Sequence, residues 1–144
     1  MNNRDTINLL KECSSGIRSG VYNLNELANR ARSPELKAAL TQSIANHEAL
    51  GSNTTNLLAG DMQTPKEPSI MMKGMSWAKN EAKLAMDDSD STIACLVTDG
   101  CGMGIKSLNQ SINDFTKASA EAKGIAQQVI NEEKALMERI SKFL

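Results

Sequence analysis

The only histidine of this 144-residue chain, His47, falls on the apolar seam of a helical stretch, thirteen residues after Pro34. Cys101 falls on the seam of a later stretch, ten residues after Ser91. Glu133 lies near the buried face of the last stretch, thirteen residues after Ala120, with Glu132 beside it. Each of these positions is near the middle of its own helix. Aligned helices of similar length would bring those middles to one level, so an imidazole, a thiol and a carboxylate could meet in one layer. Buried without partners, such groups cost several kcal/mol, so they need each other, a water or a metal. The first reading is a His47–glutamate hydrogen bond with Cys101 as a small core residue, a polar layer that sets helix register. The alternative is one metal ion held by His47, Cys101 and Glu132 or Glu133; that mixture of nitrogen, sulfur and oxygen suits zinc, then iron. A third is a redox thiol at Cys101 with its acidity raised by the imidazole, against which mid-helix burial argues.

No nucleophile–base pair stands out. A histidine-based triad would have to use His47, on a buried seam. The pairs Asp87-Asp88 and Glu132-Glu133 are sequence neighbours, which point apart on a helix. The turn Asp87–Asp90 lacks the spaced ligands and distal glutamate of a calcium loop and reads as helix capping. No catalytic residue is therefore expected.

Five helical segments must position the layer. The first runs from about Asp5 to Ala31, with Ile7, Leu10, Ile17, Val21, Leu24, Ala28 and Ala31 at three- and four-residue steps. Ser33-Pro34-Glu35 reads as an N-cap, a first-turn proline and a favourable charge, so helix two follows after a short break as an antiparallel partner. Helix two reaches Ala59, with Gly60 as its C-cap and Leu36, Leu40, Ser43, His47, Leu50, Thr54 and Leu57 as its seam. After the loop Gly60–Glu67, a shorter helix three spans about Ser69 to Met86 and carries Trp77 and several methionines. Helix four runs from about Ser91 to Asp114, on the seam Ala94, Val97, Cys101, Ile105, Leu108, Ile112 and Phe115. Helix five runs from about Ser119 to the end, on Ala122, Ile125, Val129, Leu136, Ile140 and Phe143. On helix one, Ser14, Arg18 and Tyr22 would stand near the layer, with Gly16 and Gly20 leaving room.

The expected fold is all-α, one domain over residues 1–144: a four-helix bundle of helices one, two, four and five, with helix three in a crossover that makes helices two and four parallel. The stretch Ser33-Pro-Glu-Leu-Lys-Ala-Ala-Leu40, Met75-Ser-Trp77 and Asp99-Gly-Cys-Gly-Met-Gly-Ile-Lys106 resemble segments of small bacterial ferritin-like bundle proteins of unknown function. The helix-two hairpin is more weakly similar to ferritin-like spore coat proteins. The resemblance spans nearly the whole chain and implies a ferritin-like fold, but it lends no settled activity. The Glu-x-x-His pattern of di-iron members is broken here. Ile44 stands three before His47, and Ala135 and Leu136 follow Glu132 and Glu133 where a histidine would be. Iron storage and ferroxidase activity are thus not expected.

Composition narrows the rest. Sixteen basic and seventeen acidic residues are well mixed, so there is no basic footprint for nucleic acid and no polybasic segment for a membrane. No signal peptide is read at the N-terminus. Three cysteines without CxxC spacing read as reduced thiols, which suits the cytoplasm. Gly100, Gly102 and Gly104 inside helix four each cost about 1 kcal/mol relative to alanine. Close packing of a bulky neighbour such as Trp77 or Tyr22 is the first explanation, and a kink or π-bulge the second. Helix three is apolar on two faces, Ile70, Gly74, Trp77 and Leu84 on one and Met71, Met75, Ala78, Ala82 and Ala85 on another, and a homodimer is expected from it. The role expected is structural or protein-interacting, with single-metal binding as its alternative.

Overall fold

A computed structural model describes residues 2–67 and 79–144. The chain is all-α, with no strand among the described residues. We label the long helices α1 (Arg4–Arg30), α2 (Pro34–Gly60), α3 (Asp90–Asp114) and α4 (Ala120–Ile140); a 3-10 turn, Ser141–Phe143, follows α4. Residues 79–86 are also helical. Each long helix starts on a polar cap. Asn3, Ser33, Ser89 and Ser119 accept from the backbone N–H of Thr6, Leu36, Thr92 and Ala122, which satisfies a donor the helix cannot. Asp5, Glu35, Asp90 and Glu121 place negative charge in each first turn, where the helix dipole favours it.

Hydrogen bonds between helix ends set the directions. The backbone N–H and side-chain amide of Asn2 donate to Asp61 at 2.9 and 2.7 Å, so α1 starts where α2 ends. Asp5 and Thr6 accept from the backbone N–H groups of Lys117 and Ser119, so α1 and α4 start together and run parallel. Asp90 accepts from the N–H groups of Arg32 and Ser33, so α2 and α3 also start together and run parallel. Lys142, after α4, pairs with Glu35 in the first turn of α2. α1 packs on the other three long helices, and α4 packs on α2 and α3. α2 therefore ends at the opposite end of the helices from the start of α3.

The buried face of each helix is broader than a single seam. On α1, Leu9, Cys13 and Leu27 join Leu10, Ile17, Leu24 and Ala28 in the core, while Ile7 and Val21 are only partly covered. On α2, Leu58 rather than Leu57 is fully buried; on α3, Ile93 and Leu96 are buried while Ile105, Ile112 and Phe115 are half-buried. A helix touching several neighbours needs a wider apolar stripe than a two-helix seam does. The core divides in two. One apolar cluster holds Leu24, Leu36, Leu40, Val97, Leu136 and Ile140, and the other holds Leu10, Ile17, Leu58, Leu108, Ile125 and Val129. On α2 the gap between the clusters contains His47, and on α4 it contains Glu133.

Two expectations change at the end of α2. Gly60 stays within the helix, and among the described residues no glycine takes a positive φ while Met62 does, at φ 58°. Gln63 N–H donates to Leu58 O and Met62 N–H to Ala59 O, a Schellman termination with Met62 at the position that favours glycine. Met62 is 91% exposed and so gains little from its side chain. Met62→Gly is expected to stabilise the protein by about 0.5–1 kcal/mol, because a Cβ in the left-handed region costs about 1–2 kcal/mol and glycine returns part of that as entropy. Urea denaturation checks this, and an unchanged or lower midpoint would contradict it.

Helix three is only partly within the described residues. Ile70, Met71, Gly74, Met75, Trp77 and Ala78 lie outside them. Of the rest, Leu84 is buried while Ala82, Ala85 and Met86 are exposed. Among the described residues no helix is long and apolar enough to cross a membrane.

Candidate functional site

His47 is fully buried on α2 and both of its ring nitrogens are engaged. Nδ1 lies 2.7 Å from the backbone carbonyl oxygen of Ser43, one turn earlier on α2, and 3.3 Å from the Ser43 hydroxyl. A carbonyl only accepts, so Nδ1 carries a hydrogen. Nε2 lies 2.7 Å from Glu133 Oε1, on α4. A carboxylate there requires a hydrogen on Nε2 as well, and the pair is imidazolium and carboxylate. Burial alone pulls the His47 pKa down. The hydrogen bond and charge of Glu133, then the Ser43 carbonyl and the charge of Glu132, outweigh burial and hold it above 6.5.

Cys101 of α3 completes the layer. Its thiol is buried, with the Glu133 carboxylate nearby. Burial raises its pKa far above the usual thiol range, and the adjacent negative charge of Glu133 raises it further. A protonated thiol is neither a good nucleophile nor a metal ligand. Cys13 is similarly silenced, its pKa pushed up to about 12 by burial and by Glu12. Cys95 is the exposed thiol.

The layer therefore gathers His47, Cys101 and Glu133, as their mid-helix positions suggest, but not Glu132. That carboxylate turns away, accepting from Asn46 Nδ2 at 3.1 Å and from Arg139 at 3.0 Å. Adjacent residues on a helix are about 100° apart, so only one of the pair can face His47. Among the described residues no group of three or more His, Cys, Asp or Glu side chains is placed to hold a metal ion. The hydrogen bonds supply a reason: the imidazole has no free nitrogen lone pair and Cys101 keeps its proton.

Helix α1 contributes space. A Cβ on Gly20 would sit 3.4 Å from His47 Cδ2 and Nε2, so the small residue lets α1 cross close to the ring. Gly104 on α3 lies beside Glu133, where a Cβ would make ordinary contact with Cδ at 3.8 Å. Arg18 and Tyr22 stand elsewhere: Arg18 pairs with Glu67, and Tyr22 is 41% exposed. A Cβ on Gly16, Gly100 or Gly102 would meet nothing within 4 Å among the described residues. The π-bulge explanation fails, because α3 is α-helical throughout. Trp77 as a packing partner lies outside the described residues. The Ser43 carbonyl and the Asn46–Glu132–Arg139 group are site partners the sequence did not reveal; only the four-residue step from Ser43 to His47 hinted at the first.

In comparison with known proteins, no family model and no curated protein matches this sequence.

Proposed function

We propose that this chain is a ferritin-like four-helix bundle with a structural or protein-interaction role, in which the central layer is a hydrogen-bonded lock rather than a metal centre. The helix directions support the first part. Parallel α1 and α4, parallel α2 and α3 and an α2 that ends at the opposite end of the helices from the start of α3 are what a one-crossover bundle requires. The engagement of both His47 nitrogens carries the second part: a metal would have to displace Glu133 or the Ser43 carbonyl, and take a proton from Cys101. Exposed Met86 and Met103, adaptable apolar side chains on the surface, support the interaction role. A second copy of the chain is the first partner to seek, by light scattering, in a cytoplasmic protein.

The test joins metal content to pH. Untagged protein from zinc- and iron-supplemented medium is expected to carry far less than one metal per chain, with a Tm indifferent to chelator. Folding raises the His47 pKa, so the native state holds a proton the unfolded chain releases near pH 6.5. The stability from this proton is complete below that pH and is lost as pH rises through the raised pKa. Tm should therefore fall above pH 6.5, and Glu133→Gln should flatten that fall. Near-stoichiometric metal that disappears in His47→Ala would replace the lock with a metal centre.

A further inference from the structure

The space over the polar layer is large. A cavity of about 630 Å³ opens between α1 and α3, with Glu133 and Cys101 in its wall and His47 behind them. That volume falls within the roughly 300–1,000 Å³ of small-molecule sites. Its walls are mostly apolar, from Leu24, Leu27, Leu96, Val97, Val129 and Leu136 among others. Small residues make the room: Gly16 and Gly20 on α1 face Gly100 and Gly104 on α3. Glycine inside a helix costs about 1 kcal/mol each relative to alanine. At Gly16 and Gly100 no close neighbour among the described residues explains that cost.

We propose that this cavity binds a small organic amine, its apolar body against the leucine and valine walls and its ammonium on the Glu133 carboxylate. This goes beyond the lock, which needs Glu133 but no cavity. A carboxylate offers about four acceptor sites, of which His47 uses one. Asn23 lies on the same wall, and its Oδ1 is buried with no hydrogen-bond partner while its Nδ2 donates to Ser19 O. The Glu133 acceptor calls for a donor-rich head group. The other charged residues lining the cavity are Glu12, Asp99 and Lys79, the two acids paired with Lys66 and Lys83, and an anion at the layer would meet the Glu133 carboxylate.

The probes are n-octylammonium, 1-octanol and octanoate, titrated calorimetrically into the full chain. Octylammonium should bind about tenfold tighter than octanol, the size expected of a hydrogen bond to a buried charge, and octanoate weakest. Glu133→Gln should bring octylammonium to within about twofold of octanol, since the charge is gone. Gly100→Leu, at a position where a Cβ meets nothing within 4 Å among the described residues, the lock included, should abolish binding of all three. This variant keeps the test valid even if Glu133→Gln fails to fold. Equal affinity for the three probes, no binding of any, or unchanged binding in Gly100→Leu would overturn the proposal. None of those results bears on the lock, which is read by metal content and pH.

Discussion

His47→Ala is expected to destabilise the protein by about 3–5 kcal/mol, the usual consequence of leaving one member of a buried ion pair alone. Stabilities of single domains lie at about 5–15 kcal/mol, so the variant would stand near the edge of folding. The cause is Glu133 rather than the lost imidazole. Its side chain is only 11% exposed, and without His47 its charge would lose its hydrogen-bond partner and stay buried. Glu133→Ala should cost less, about 1–3 kcal/mol, because the imidazole left behind can shed its proton and keep its bond to Ser43. Replacing both residues, as His47→Leu with Glu133→Met, should recover much of the loss, since apolar pairs of similar volume often match buried ion pairs. Urea denaturation of the three variants would show the ordering. A loss below about 1 kcal/mol for His47→Ala would mean that the layer does not depend on the pair.

Alanine at Gly100, Gly102 and Gly124 is expected to raise stability, by about 2–3 kcal/mol for the three together. All are exposed residues inside helices, and a Cβ on each would meet nothing within 4 Å among the described residues. Each replacement removes a helix-propensity penalty of about 1 kcal/mol. The effects should add, because the sites are on different helices or two residues apart, where side chains do not face each other. For a chain of this size each kcal/mol moves Tm by roughly 3–4 °C, so the triple variant should melt about 8–10 °C higher. Gly51 is the contrasting case: a Cβ there would come within 3.2 Å of the buried Ile17 Cγ2. A loss at Gly100→Ala alone would show that the face of α3 over the cavity is covered.

Much of this fold is visible in local chemistry. Ser33-Pro34, Ser89 and Ser119 mark helix starts because a short side-chain oxygen satisfies a free N–H within its own turn. The three- and four-residue apolar spacing marks helices and their inward faces, since both are properties of one segment. His47, Cys101 and Glu133 could be placed at one level because helix length and position along it are counted in residues. What depends on rotation of one helix against another was not legible. Periodicity did not decide between Glu132 and Glu133; the packing of α4 on α2 does, turning Glu133 to His47 and Glu132 to Asn46 and Arg139. The proton count of the layer follows from the Ser43 carbonyl, a backbone group that carries no sequence signal. Nor could sequence separate a glycine that admits a neighbour, Gly20, from one without a close neighbour among the described residues, Gly100. The two cost the helix the same, and only the distance to the next helix distinguishes a contact from a cavity.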